Sequence, residues 1–344
     1  MSHKGFKIAV LGGGSFGTVI ANICAEKGCD VRQWMRSENA AQEINDIHCN
    51  SRYLPDYILA PSLVAYTDLA AALKDVSLVF VSIPSASFRA VLQQAAPHLP
   101  DNIKVISTTK GVEESSFYMM SQIVEQELPS AKVGVLSGPN FAKELAQRQL
   151  TATVVASKDE ELRCVVQKLL HQVYFRIYAS DDIFGVELGG VLKNIYAIAS
   201  GLSGAMGMGE NTRSMILTRA LAEMSRFAVS MGANPMTFLG LAGVGDLVAT
   251  CMSPLSRNYR VGHALGLGKT LEEAVAELCQ VAEGVNTVKL VHNKSIELGV
   301  YMPLLHGLYQ VVYEGAAPEA VAKSMMLSEQ GSDVEFVLPR QPTF

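Results

Sequence analysis

Through the first half of the chain, short apolar runs rich in β-branched residues alternate with longer amphipathic stretches. Their spacing predicts strands at Lys7–Leu11, Val31–Met35, Leu63–Tyr66, Leu78–Ile83, Val105–Thr108 and Val133–Leu136. Two further β-rich runs, Thr151–Ala156 and Phe175–Tyr178, flank a helical pattern near Glu160–His171 and are expected to extend the sheet. Strands alternating with helices imply crossovers that lay helices on the sheet faces, so this half predicts a doubly wound parallel α/β sheet. From about Ile183 the strand signals fade, and helical periodicity with Gly-containing breaks continues to about Ser328. The expected division is an α/β domain over 1–182, a mainly α-helical domain over 183–335 and an irregular tail over 336–344.

Composition supports two well-filled domains. The chain has 344 residues, 49% hydrophobic and only 18% charged, so much of it must be buried. With 28 Lys+Arg against 33 Asp+Glu, the net charge of −5 offers no general attraction for nucleic acid or an anionic membrane. Any anion must therefore be held by a local site. The six cysteines are dispersed without a C-x-x-C pair and the histidines without an H-x-x-x-H pair, so neither a disulfide framework nor a metal site is expected, and a reducing cytoplasm is. No uncharged apolar stretch approaches the roughly 18 residues of a membrane span. Lys4 and Lys7 before the apolar run from Ile8 imitate a signal peptide, but Gly12, Gly13, Gly14 and Asn22 interrupt that run.

The same interruption carries the first chemistry. Gly12, Gly14 and Gly17 form G-x-G-x-x-G directly after a predicted strand and before the helical run Thr18–Lys27, the context in which the motif holds a dinucleotide. The first glycine permits the tight turn, the second lets the backbone approach a pyrophosphate, and the third lets helix and strand pack closely. At the end of the second strand, an acid would bind a ribose 2′-hydroxyl and an arginine a 2′-phosphate. Arg36 stands there, nineteen residues beyond Gly17, and favours NADP; were Glu38 to take the ribose instead, NAD would be preferred.

In an open α/β sheet, ligands lie beyond the carboxyl ends of the strands. Those ends read Ser82-Ile-Pro-Ser85, Thr108-Thr-Lys-Gly111 and Ser137-Gly-Pro-Asn140. Most of these residues are ordinary turn formers, but a turn does not require the ammonium of Lys110. The helical half opens with Glu187–Ser200. At roughly 100° per residue, Lys193 there shares a face with Gly189, Gly190, Ala197 and Ser200, away from the apolar stripe of Leu188, Leu192, Ile195 and Ala199. Two successive interior glycines, each costing about 1 kcal/mol relative to alanine, imply that something approaches this helix closely. The alternative is tight helix packing with Lys193 reaching out to solvent. Further on, Ser256, Arg257 and Asn258 precede another helical pattern and offer a phosphate cradle, or simply a capped helix with a solvated arginine.

Taken in order, the segments Gly12–Gly17, Ser107–Gly111, Leu136–Glu144, Glu187–Ser200, Leu241–Thr250, Ser256–Asn258 and Val281–Gly284 resemble the NAD(P)-dependent sn-glycerol-3-phosphate dehydrogenases, particularly the bacterial soluble enzymes. The resemblance covers nearly the whole chain. It implies an N-terminal Rossmann-type doubly wound sheet, a mainly α-helical C-terminal domain, a homodimer, and reversible reduction of dihydroxyacetone phosphate to sn-glycerol 3-phosphate for phospholipid synthesis. By the same resemblance, Lys193 is the general acid/base and Lys110 beside it stabilises the developing alkoxide. Asp246 and Asn194 orient the lysine or the substrate, and Ser256, Arg257, Asn258 and Thr250 grip the phosphate. Ser15, Phe16, Arg36, Lys110, Ala142, Arg257, Val281 and Glu283 fall to the cofactor, NADP before NAD, and Gly138 and Asn140 to the substrate. The chain departs from the family at Gly13, where alanine is usual, and at Asn140, where serine or threonine is usual. A carboxylate-substrate reductase of the β-hydroxyacid or 6-phosphogluconate type, and a dinucleotide-sensing regulator, are the alternatives.

Overall fold

The structure, a computed structural model, describes residues 5–278 and 282–327. The chain divides into two compact units between Glu187 and Leu188, inside a helix that begins at Ile183.

The first unit contains β1 (Lys7–Leu11), β2 (Asp30–Trp34), β3 (Cys49–Asn50), β4 (Leu54–Ile58), β5 (Leu63–Tyr66), β6 (Leu78–Val81), β7 (Lys104–Ser107), β8 (Lys132–Ser137), β9 (Thr151–Ser157) and β10 (Phe175–Ser180). Eight of them form one sheet in the order β10-β9-β8-β7-β6-β1-β2-β5, while β3 and β4 make a separate hairpin. The period of two in a strand explains the layering. Ile8, Val10 and Phe80 enter one core, and Ala9, Leu11, Val79 and Val81 the other, because alternate side chains leave opposite faces of the sheet. The chain runs from β1 to β2 on one side and returns to β6 on the other, so a topological switch point lies at β1.

One pairing differs from the parallel sheet expected from the sequence. β8 and β9 are antiparallel, with Ser137 opposite Val154, whereas the other pairings in the sheet are parallel. The connection from β8 to β9 carries only the five-residue helix Ala142–Ala146, which is too short to cover a sheet face, and the chain turns back on itself.

The described elements of the second unit are all helices, joined by turns and loops. The helix Ile183–Ala205 is long and apolar enough to cross a membrane, despite containing Glu187 and Lys193, but 83% of its most apolar window is buried inside the protein. Its glycines mark close approaches by other parts of the chain. A Cβ on Gly189 would lie 2.5 Å from the Ala242 carbonyl oxygen, and one on Gly201 2.0 Å from that of Tyr259. The close approach expected at Gly189 is therefore made by packed protein backbone. In the same helix, Tyr196 donates to the buried carboxylate of Glu223 (2.9 Å), which also accepts from the N–H groups of Leu304 (2.6 Å) and Leu305 (3.1 Å) in the first turn of helix Pro303–Tyr313.

Candidate active site

The glycine loop joins β1 to helix Ser15–Glu26, and each of its three motif glycines has a distinct physical reason. Gly12 has φ +128°, and a Cβ there would lie 2.1 Å from the Ser82 carbonyl oxygen. A Cβ on Gly17 would lie 2.6 Å from the Gly12 carbonyl oxygen, so the helix can sit this close only without one. A Cβ on Gly14 would meet nothing within 4 Å, which is the open approach a ligand needs. Gly14 is also the helix N-cap and supplies no side-chain cap, so the N–H groups of the first turn and the helix dipole face that open side.

The loop carbonyls, which would repel a phosphate, are tied inward. Gln33 donates to the Gly12 oxygen (2.9 Å), Asn50 to the Gly13 oxygen (3.0 Å), and both amides donate to Thr18 Oγ1 (2.9 Å each). Ser15 Oγ donates to the Tyr53 oxygen of the β3–β4 hairpin (2.9 Å), and Phe16 packs partly buried on the core. The loop therefore fits a dinucleotide pyrophosphate. Gly13 is matched to Met35, whose Cβ would lie 2.9 Å from a Cβ on residue 13, so the alanine usual in the family would crowd it here. Arg36, two residues past β2, is exposed and makes no ion pair among the described residues; Ser37 caps the following helix by accepting from the Ala40 N–H (3.3 Å), with Glu38 in its first turn.

At the next strand ends, Lys110 Nζ donates to the Gly138 oxygen (3.2 Å) and to Asn140 Oδ1 (3.2 Å). Asn140 Nδ2 in turn donates to Thr153 Oγ1 (3.0 Å), which donates to the Ser137 oxygen (2.9 Å). Asn140, expected on the substrate side, thus joins Lys110 to Thr153. Gly138 sits at φ +144° against Thr153, and Ala142 begins the short helix after this turn.

In the second unit, Lys193 does not reach out to solvent. It is 4% exposed, paired with Asp246, and donates to Thr250 Oγ1 (2.9 Å), which itself donates to Asp246 Oδ1 (3.3 Å). Asp246 and Thr250 stand one turn apart on helix Asp246–Met252, so both face the lysine. Thr250, expected on the phosphate, accepts from Lys193 and donates to Asp246. Asn194 is buried and donates to the Gly190 oxygen (3.4 Å). Burial pushes the nearby Cys251 thiol up, with Lys193 and Asp246 acting on it in opposite directions, so it stays protonated.

Ser256 caps helix Arg257–Gly266 by accepting from the Tyr259 N–H (3.2 Å). Asn258 Oδ1 accepts from the Gly284 N–H (3.1 Å), which turns its remaining donors away from that contact. Arg257 is exposed at the helix start. Glu283 opens helix Glu283–Glu297, and Val281 lies outside the described residues.

These two sets of groups can be set beside known proteins. Family models described as the N-terminus and the C-terminus of NAD-dependent glycerol-3-phosphate dehydrogenase match residues 7–163 and 182–323. The chain belongs to the NAD-dependent glycerol-3-phosphate dehydrogenase family. A curated Acinetobacter baumannii protein named glycerol-3-phosphate dehydrogenase (NAD(P)+) is 57% identical over 333 residues, covering 97% of this chain and 93% of its own. A Pseudomonas aeruginosa protein of the same name is 56% identical over 330 residues, 96% of this chain and 97% of its own. The crystal structure of glycerol-3-phosphate dehydrogenase from Coxiella burnetii superposes with a TM-score of 0.90 at 35% identity, covering 94% of this chain and 99% of that one. Sequence reading alone missed Gln33, Asn50 and Thr153, the residues that brace the family's motifs from behind. Each stands beside or near other polar residues along the chain, and only burial reveals its task.

Proposed function

We propose that Lys193 and Lys110 carry in this chain the reversible reduction of dihydroxyacetone phosphate to sn-glycerol 3-phosphate, with NADPH preferred over NADH. The chain is an oxidoreductase of the glycerol-3-phosphate dehydrogenase family, and NAD and NADP are its cofactors. The nicotinamide, when bound, would supply the hydride for reduction and accept it in oxidation. Lys193 gives its proton to the carbonyl oxygen in reduction and recovers it in oxidation, held on line by Asp246 and Thr250. Lys110, braced by Gly138 and Asn140, stabilises the negative charge that develops on that oxygen. Asn194 orients the substrate. Asn258 and Arg257, at a helix N-terminus capped by Ser256, take the phosphate. Gly12, Gly14, Ser15, Phe16 and Gly17 hold the pyrophosphate and Arg36 the 2′-phosphate, with Ala142, Arg257, Val281 and Glu283 completing the cofactor set.

The observation that carries this reading is Lys193 itself, an ammonium buried in a helical unit with one carboxylate and one hydroxyl. A buried ion pair is weak as a source of stability, so its retention here supports a chemical role. We further assign the chain to the cytoplasm as a homodimer without membrane insertion or nucleic-acid binding, supplying the glycerol phosphate of phospholipids. The test is NADPH oxidation with dihydroxyacetone phosphate, beside unphosphorylated dihydroxyacetone and a keto acid. Turnover should require the phosphate ester. Its absence there overturns the reading, and turnover of the keto acid alone would favour a carboxylate substrate.

A further inference from the structure

Lys110 lies in an irregular segment between β7 and helix Met120–Glu127, with no helix or strand of its own to fix its backbone. Both sides of it are nevertheless fastened. Upstream, Thr108 N–H donates to the Val81 oxygen (2.9 Å) and Thr109 Oγ1 to the Ile83 oxygen (2.7 Å). Downstream, Glu113 N–H donates to the Tyr118 oxygen (2.9 Å) and Phe117 N–H to the Glu113 oxygen (2.9 Å), closing a small loop that holds Phe117 at φ 61°. Arg89 grips this loop through both Glu113 oxygens, Nε to Oε1 at 2.6 Å and Nη2 to Oε2 at 2.9 Å. Its other contacts go to Glu127 and to Gln126 (2.8 Å), both on helix Met120–Glu127.

Arg89 stands in helix Ser85–Ala95, which starts two residues past Ile83. The same short stretch of chain therefore holds Lys110 from both sides. The Arg89 and Glu113 side chains are 27% and 18% exposed, and Arg89 ties Glu113 and Glu127 into one network. Four of the five donors of this planar fork go to one loop and one helix, an arrangement that fixes geometry.

We propose that Arg89 is a positioning residue for Lys110. Its bidentate hold on Glu113 fixes the downstream side of the Lys110 turn and so the place at which the ammonium meets the developing oxyanion. This rests on the reading above that Lys110 acts on the substrate.

The test is a double-mutant cycle on the full chain. Arg89→Ala, Arg89→Lys and Glu113→Gln are measured alone and combined with Lys110→Ala, with kcat, KM for dihydroxyacetone phosphate, NADPH affinity and Tm for each. Arg89→Ala should lower kcat about tenfold or more, since small misplacements of an acting group are costly. NADPH affinity should stay within about twofold, and in the Lys110→Ala background Arg89→Ala should cost no further kcat. Arg89→Lys, which keeps the charge but not the fork, should recover only part of the loss. Wild-type kcat in Arg89→Ala, or an equal loss with and without Lys110, overturns the proposal. Wild-type kcat in Lys110→Ala alone would instead defeat the role given to Lys110. Should Arg89→Ala fail to fold, Glu113→Gln carries the same cycle, because it weakens the fork while leaving helix Ser85–Ala95 intact.

Discussion

Replacing Glu223 by glutamine should flatten the pH dependence of stability in the second unit. Burial pushes the Glu223 carboxyl from 4.5 up to about 7, even though bonds from the Leu304 and Leu305 N–H groups and from Tyr196 favour its charged form. The folded state therefore keeps a proton that the unfolded chain has released above pH 4.5. The stabilisation from that proton is fully present below 4.5 and is lost as the pH rises through about 7. The rise corresponds to about 3 kcal/mol in all, of which about 2.5 kcal/mol disappears between roughly pH 5 and 8. Urea unfolding at a series of pH values measures it, followed by far-ultraviolet circular dichroism because the single tryptophan, Trp34, is in the first unit. Glu223→Gln cannot titrate, so its stability should change less over that range by about this amount. It should also be less stable at low pH, where its NH2 group takes the place of one carboxyl oxygen and faces a backbone N–H. Glu187, whose buried carboxyl also stands at about 7, keeps its own contribution in both proteins. Equal pH slopes for the two would refute the reasoning.

Three further substitutions probe the chemistry. Lys193→Ala should lower kcat about a thousandfold while NADPH still binds, as loss of a general acid does, and near-normal turnover would exclude that role. Arg36→Ala should raise KM for NADPH about tenfold or more and leave NADH nearly unchanged, the loss of one charge-assisted contact; equal effects on both cofactors would mean that Arg36 does not read the 2′-phosphate. Gly12→Ala would force a Cβ to 2.1 Å from the Ser82 oxygen at a backbone angle that only glycine adopts easily, so both Tm and cofactor affinity should fall. Gly14→Ala, whose Cβ meets nothing, should keep Tm and lose affinity alone; a Gly12→Ala protein with wild-type Tm would contradict the packing.

The strands of the large sheet were legible because a sheet covered on both faces needs continuous apolar runs, as in Leu78–Val81 with every residue buried. The β3–β4 hairpin was not. Cys49–Asn50 is only two residues long, and Leu54–Ile58 contains a proline and an aspartate, which read as a turn. Strand direction left no mark either, because hydrophobic alternation is the same whichever way a strand runs, and so the β8–β9 reversal is visible only in the fold. At the site, residue chemistry was readable but partners were not. An amide at 140 and a hydroxyl at 250 suit a phosphorylated substrate as well as they suit a lysine, and only their distances place them on Lys110 and Lys193. Glu187 and Glu223 went unremarked for a related reason. A lone acid on a helix normally reads as solvated, and nothing in its neighbours along the chain announces that it is buried.

The reversal of β9 has a consequence for how errors in strand alignment would be felt. Because β9 runs back against β8, its beginning meets the carboxyl end of β8, and Thr153 arrives beside Ser137 and Asn140. A slip of one residue along this ladder would bring Ala152 or Val154 into that place and turn the threonine to the opposite face. The sheet could absorb such a slip with much of its apolar surface still covered, since both neighbours are apolar. The Asn140 amide that accepts from Lys110 would lose its own partner, the Thr153 hydroxyl. Alignment of this strand pair is therefore registered by the bonding around Lys110 as well as by the packing of the sheet.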